Sequence, residues 1–302
     1  MSKISAYLAR FRREPDREAP PAGRPAGAPL LGRGGFIASS LAAVGGFVLG
    51  WLVPNPPSAA PPPATADVGV LYHRWSKPGY SQAMGTPSNW GQPPEPYKTY
   101  AGAKRIPLPD PHPYRGLSLE EAVQARRSRR AYSGQPLSLA ELSRLLYAAQ
   151  GITQPQGELR AAPSAGALYP IELYAVAHNV AGLEPGIYHY AARAHELELV
   201  RQGDQRAAVT KAGAGQGHLG QAAVCFILSA VFQRTRWKYH ERAYRYTLVE
   251  AGHIGQNLYL AATSMGLGAC AVGTFLDDDL NGLLGLDGEE EAALLIITGG
   301  AA

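Results

Sequence analysis

The sequence predicts an α+β body behind a separate N-terminal segment. Two S-x-x-E signatures, Ser118 with Glu121 and Ser138 with Glu141, each mark a helix start, because serine and glutamate satisfy one another's free backbone N–H groups. Runs with strand character follow them, and no internal repeat is present. In the second helix Leu139, Leu142, Leu145, Leu146 and Ala149 share one face and Gly151 stops it, which makes it a core helix. IELYAVAH (171–178), GIYHY (186–190) and ELELV (196–200) read as strands, the first two joined through Pro185-Gly186 in an antiparallel meander. AAVCFILSAVF (222–232) is too continuously apolar for an edge strand and belongs at the sheet centre. A long helix is predicted from about Glu241 to Met265, with Leu248, Ile254, Leu258 and Met265 towards the core. The strand GACAVG, a short helix around Asp278 to Leu284 and the strand ALLIIT close the chain.

At 302 residues, with 46% hydrophobic and 17% charged, the chain buries a sizeable core, which excludes a wholly disordered protein. Its net charge of +4 is concentrated in residues 1–66, which hold seven Lys/Arg and three Asp/Glu against 21 of each in the remainder. A neutral body with a basic head argues against nucleic-acid binding and for targeting. The head runs from basic residues through an apolar stretch, Phe36 to Val53, to the Pro-rich PNPPSAAPPPATA, the order of an export signal. The stretch is about 27 Å long as a helix, close to the ~30 Å of a bilayer core, so it either anchors the chain or is cleaved. Ala64-Thr65-Ala66 offers a cleavage site that would start the mature chain at Asp67. RGGFI (33–37) resembles a twin-arginine export motif, with Gly34 where the second arginine belongs. A buried core helix behind a loose arm is the alternative. The membrane readings leave the body exported, periplasmic or anchored to the inner membrane facing outward, with the N-terminal segment contacting membrane or export machinery. The expected divisions are 1–66 for head, apolar run and linker, 67–116 for an aromatic-rich arm wrapping the core, and 117–302 for the main domain. Cys225 and Cys270 lie in apolar runs and read as buried thiols.

Three clusters are candidates for chemistry. Arg126, Arg127, Ser128, Arg129 and Arg130 place four guanidiniums and a hydroxyl at the end of the first helix, Arg126 and Arg130 on one face. Such a set matches a phosphate, and cations at a helix C-terminus also simply complement its dipole. RAAPSAGALYP (160–170) enters a strand; its Pro-Ser-x-Gly turn allows close backbone approach to a ligand, or is an ordinary loop. MGLGACAVGTF (265–275) flanks a short strand with glycines but lacks the spacing of a Rossmann or P-loop phosphate site.

In this order the three segments resemble the nitroreductase family, flavoproteins that bind FMN at a dimer interface, and within it the SagB-type and thiazoline-oxidase dehydrogenase branch. RRSRRAY matches the family's phosphate motif, PSAGALYP the branch signature lining the flavin ring, and YRYTLVEAGHIGQNLYLAATSMGLGACAVGTF the following helix-and-strand block; YHRWSK (72–77) resembles the branch's N-terminal extension. The resemblance covers about residues 70–300 and implies a central mixed, mostly antiparallel sheet flanked by helices, in a homodimer. It implies FMN contacts by Arg126, Arg127, Ser128, Arg130, Arg160, Pro163, Ser164, Ala165, Gly166, Val272 and Gly273. It also implies two-electron hydride transfer through flavin N5 on a small-molecule or peptide-derived substrate, with NAD(P)H or a quinol as electron donor. Lys238-Tyr239 in WKYHERAYRY stands where the branch has a proton-transferring pair, and reads equally as a surface lysine beside a packed tyrosine. A non-catalytic exported scaffold that keeps the fold is the other functional class. No metal is expected: Glu250-x-x-His253 lacks the second Glu-x-x-His of a di-iron bundle, which leaves His253 as a packed helix residue, and Asp277-Asp278-Asp279 reads as a helix cap.

Overall fold

In the computed structural model, which describes residues 67–77, 91–112 and 116–302, a seven-stranded sheet organises the chain. Its strands are β1 (Arg105–Pro107), β2 (Ile171–Ala177), β3 (Gly186–Ala191), β4 (Glu196–Gln202), β5 (Val224–Val231), β6 (Leu267–Val272) and β7 (Glu291–Ala301), in the spatial order β1-β4-β3-β2-β5-β7-β6. Every neighbouring pair in this sheet is antiparallel. Among the described residues, parallel pairing is confined to Leu137–Ser138 with Val180–Ala181 and to one bridge from Ser128 to Ala269 on the edge strand β6. The meander of β2, β3 and β4 is the predicted one, and the apolar β5 lies centrally between β2 and β7.

Strand alternation distributes the apolar residues over two cores. Leu173, Ala175, Phe226 and Leu228 face one side, which α3 (Leu139–Gln150) and α7 (Ala243–Ser264) cover with Leu142, Leu146, Ile254 and Leu258. Val176, Cys225 and Ile227 face the other, covered by α4 (Arg206–Ala212), α5 (His218–Gln221) and α8 (Asp277–Leu284). Both faces of β2 and β5 are dry, so these strands carry almost unbroken apolar sequence. Cys225 and Cys270 are fully buried thiols.

Both capping boxes form. Ser118 opens α2 (Leu119–Ala125), where Oγ accepts from Glu121 N–H at 3.2 Å and the Glu121 carboxylate accepts from Ser118 N–H at 2.9 Å. Ser138 and Glu141 repeat this at α3, with distances of 3.2 and 2.8 Å. Gly151 ends α3 for a steric reason, since a Cβ there would lie 2.7 Å from the Tyr147 carbonyl oxygen.

The arm is ordered along its described stretches. Helix α1 (Val68–Trp75) rests on the start of α7, where Arg242 and Arg245 donate to Ser76 O at 2.8 Å and Ser76 Oγ at 2.6 Å. Residues 97–107 cover a polar patch on the second sheet face. There Lys98 Nζ meets Glu291 at 2.5 Å, the Tyr100 and Tyr174 hydroxyls share a 2.9 Å hydrogen bond, and β1 adds to β4. Beneath the arm, His189 sits between two buried carboxylates, Glu172 at 2.8 Å and Glu198 at 3.0 Å, and Arg234 donates to Glu172 at 2.5 Å.

Several details differ from the sequence expectations. Helix α2 stops at Ala125 and Arg126 is its extended cap (ψ 122°), so Arg126 and Arg130 do not share a helix face. The Arg129 N–H donates to Ala269 O, and the arginine run lies along β6 instead. The predicted long helix forms as α7, but a separate helix that the sequence reading did not assign, α6 (Phe232–Tyr239), precedes it and ends at His240, with φ 46°. Leu248 is 50% exposed, because it lies one residue beyond the inward Thr247 and so about 100° round the helix from it. His253 faces outward as well, between the buried Ala251 and Ile254 and beside the exposed Gly252. Asp277, Asp278 and Asp279 make up the first turn of α8 without any side-chain cap bond, so they favour the helix through its dipole, and Asp279 also pairs with Lys211 at 3.1 Å. Among the described residues no helix is long and apolar enough to cross a membrane; the expected signal or anchor at 36–53 and the linker after it lie outside them.

Candidate functional site

The arginine run is held in place by one tyrosine. Tyr259 of α7 accepts from Ala271 N–H at 2.6 Å, shares a 2.9 Å hydrogen bond with Ser128 Oγ, and carries the Arg126 guanidinium 5.3 Å over its ring. Strand β6, helix α7 and the arginine segment therefore meet at a single side chain. Arg127 turns back to donate to the Gln124 and Arg126 carbonyls at 3.0 and 2.6 Å, which is the helix-capping role open to it from sequence. Among the described residues none of the four guanidiniums forms an ion pair with a carboxylate. Four cations in five residues, Arg127, Arg129 and Arg130 exposed and Arg126 half-buried, with no acidic partner among the described residues, repel one another, and a dianion relieves that repulsion.

The second cluster centres on the turn Pro163–Gly166. Gly166 (φ 67°), Ala167 (φ 55°) and Tyr169 (φ 46°) all have left-handed backbone, which costs about 1–3 kcal/mol for each non-glycine residue and marks a segment shaped for something besides stability. Ser164 Oγ accepts from Tyr169 N–H at 2.9 Å and holds the turn. Lys238 and Tyr239, at the end of α6, come down on it. A Cβ on Gly166 would stand 2.9 Å from the Tyr239 hydroxyl and 3.2 Å from Lys238 Nζ, so glycine permits the approach. The kink at His240 sets this direction, because a continuous helix from 232 to 264 would not present both residues here. Burial raises the Tyr239 hydroxyl above its ordinary value.

Behind the turn lie polar atoms without partners. Arg160 is 8% exposed; one guanidinium nitrogen donates to Gln150 Oε1 at 3.4 Å, its plane stacks on Tyr169 and Tyr97 at 4.7 and 5.2 Å, and its Nε has no acceptor. Gln150 Nε2 and Glu250 Oε1 are also buried without partners. Glu250, 3% exposed on α7, is pushed up to about 7 by burial, against a hydrogen bond from Ser164 and the charge of Arg160. Sequence reasoning named Arg160, Ser164, Gly166, Lys238 and Tyr239, and the fold brings all five together. It missed Glu250 as part of this group and Tyr259 as the anchor of the other. Val272 is buried in the second core, which leaves only its backbone for a ligand, whereas Pro163 and Gly273 are exposed and Ala165 is half-buried.

The two clusters sit on opposite margins of α7. From Glu250 to Tyr259 is nine residues, about 13 Å along the axis and about half a turn around it.

Comparison with known proteins matches this architecture. The family model described as Nitroreductase family matches residues 123–300, from the arginine run through the last strand. A Methanocaldococcus jannaschii protein named as a nitroreductase is 38% identical over 179 residues, 59% of this chain and 88% of that protein. The microcin B17-processing protein McbC of Escherichia coli is 28% identical over 165 residues, 53% of this chain and 61% of McbC. A crystal structure of an Anabaena variabilis protein described as a nitroreductase superposes with a TM-score of 0.64 at 29% identity, covering 82% of this chain and 50% of that longer one. With the model spanning more than half of the residues, the chain belongs to the nitroreductase family.

Proposed function

We propose that this protein is an FMN-dependent oxidoreductase acting on a small-molecule or peptide-derived substrate. The observation that carries the reading is the arginine run: a set of cations without carboxylate partners, positioned by Ser128 and Tyr259, fits the phosphate of FMN. Arg126, Ser128 and Arg130 would hold that phosphate. Arg160, the Ser164-Ala165-Gly166 turn and the Val272-Gly273 backbone would meet the ring, and the unpartnered Arg160 Nε and Glu250 Oε1 fit a polar occupant. When bound, FMN supplies two-electron chemistry that no side chain here provides.

The chain's own contribution is binding, orientation and a proton. Lys238 and Tyr239 converge on Gly166, and the raised Tyr239 hydroxyl stays protonated at neutral pH as a hydrogen-bond donor. Anaerobic titration with NADH, NADPH and a quinol tests the function: bleaching of bound flavin by one of them is expected. In the same assay Lys238→Ala is expected to slow substrate-dependent reduction about 10²-fold or more while FMN occupancy is kept. An unchanged single-turnover rate removes Lys238 from the reaction.

A homodimer completes this reading. The two clusters lie half a turn apart on α7, an offset that suits an FMN held between two copies, one supplying each cluster. Leu248 and Val249, each about half exposed on the outward face of α7, are apolar surface suited to that contact. The basic head and the run 36–53 support a body outside the inner membrane. A full-length fusion that stays with membranes after a carbonate wash supports an anchor, whereas a soluble product starting at Asp67 supports cleavage.

A further inference from the structure

We infer that a cavity beneath the arm binds a small monocarboxylate on Arg160, apart from the arginine run. The inference goes beyond the flavoprotein reading above and does not depend on it.

The cavity has a volume of about 210 Å³ and lies between the arm, at Tyr97, Lys98 and Thr99, and the strands β3 and β4. Ser164, Gly166, Lys238 and Tyr239 are not among its lining residues, which separates it from the turn cluster. At about 30 Å³ for each water it has room for about seven, which suits a carboxylate on a short body. Tyr190, Ala191 and Ala192 share the lining with the charged side chains and offer that body an apolar surface.

The charges of the lining call for one anion. Four Lys and Arg side chains line the cavity, and three of them have carboxylate partners: Lys98 meets Glu291 at 2.5 Å, Arg105 meets Glu198 at 3.2 Å, and Arg193 meets Glu158 at 2.7 Å. Arg160 has none among the described residues. It is 8% exposed, donates to the neutral Gln150 Oε1 at 3.4 Å, and rests on the rings of Tyr97 and Tyr169. A buried cation matched only by neutral groups is costly, and a carboxylate, whose two oxygens fit the guanidinium fork, supplies the missing charge. The lining carboxylates Glu172 and Glu198 are already engaged, Glu172 by Arg234 at 2.5 Å and both by His189 at 2.8 and 3.0 Å. Their charge stays beside the cavity and disfavours a second charge on the ligand. A monoanion therefore suits this cavity, whereas a phosphate dianion suits the arginine run, where no carboxylate intervenes. A guanidinium carries five N–H donors and Arg160 uses one on Gln150, so a flavin edge and a carboxylate can share it.

Calorimetric titration of the full chain with benzoate, N-acetylglycine and the neutral isostere benzamide tests this, with and without FMN. Benzoate stands for a free organic acid and N-acetylglycine for a peptide C-terminus, and the tighter of the two names the source. The tighter carboxylate is expected to bind at least about tenfold more strongly than benzamide, the value of a charge-assisted hydrogen bond, and Arg160→Gln is expected to remove that preference. Inorganic phosphate at about pH 8, mostly a dianion, is expected not to displace it. A second readout needs no variant: the ¹³C-methyl signals of Ala191 and Ala192 in the wild type are expected to shift as the carboxylate is added. Equal binding of carboxylate and amide, a preference that survives in a folded Arg160→Gln, displacement by phosphate, or alanine signals that stay in place overturn the inference. Displacement of the carboxylate by FMN overturns it as well, by giving Arg160 to the flavin alone. A chain that binds the carboxylate and refuses FMN supports this site while the flavoprotein reading fails.

Discussion

Arg234→Ala is expected to lower stability by about 3–5 kcal/mol, read as a fall in the urea midpoint, because it leaves the buried Glu172 carboxylate without its arginine partner. The Arg234 and Glu172 side chains are almost wholly buried and meet at 2.5 Å. Arg234 also donates to Glu95 O at 2.9 Å, so its loss releases the arm as well. Burial pushes the Glu172 carboxyl up, but the His189 hydrogen bond and the Arg234 charge outweigh it and hold the group down to about 2, against an ordinary 4.5. A depressed carboxyl stabilises the fold above its unfolded value and loses that contribution as pH falls. The wild type is thus expected to lose stability between about pH 4.5 and about pH 2, and the gap between it and Arg234→Ala to narrow over that window. A variant as stable as the wild type at neutral pH would mean that the arm and the buried charges are not coupled.

The double replacement Arg126→Ala with Arg130→Ala is expected to weaken FMN binding by roughly 10²–10⁴-fold, since it removes two charge-assisted contacts of about 1.5–3 kcal/mol each. The fold should survive, because Tyr259 and Ser128 hold the segment independently of both guanidiniums: the Tyr259 bond to Ala271 N–H and the Ser128 bridge to Ala269 remain. Equilibrium dialysis gives the affinity and circular dichroism checks the fold. Arg127→Ala is the control. Its guanidinium is committed to the α2 carbonyls, so its loss costs helix capping more than phosphate affinity.

Most of the fold was legible because local signals and burial agree. The S-x-x-E boxes at Ser118 and Ser138 place two helices, and the apolar run 222–232 predicts a strand dry on both faces, as β5 is. What local pattern does not carry is the change of direction at His240. The long helix was read from about Glu241, but nothing in WKYHERAYRY marks the preceding helix Phe232–Tyr239 or the left-handed residue that ends it, yet that break carries Lys238 and Tyr239 onto Gly166. The same limit applies at Arg126, where a predicted helix face gives way to a segment lying on β6. Glu250 was visible only as half of a metal-like spacing with His253, and the two part company in the fold, one buried and the other exposed. Arg160 and Gln150, whose buried polar atoms are likewise left without partners, lie 90 and 100 residues earlier in the sequence, so only tertiary structure gathers the group.

The most direct test of the flavoprotein account is the visible absorption spectrum and cofactor mass of protein expressed from Asp67 onward. The account predicts a yellow protein that releases FMN on denaturation, one per chain. A colourless protein that refuses added FMN would contradict it and leave a scaffold with the family's fold.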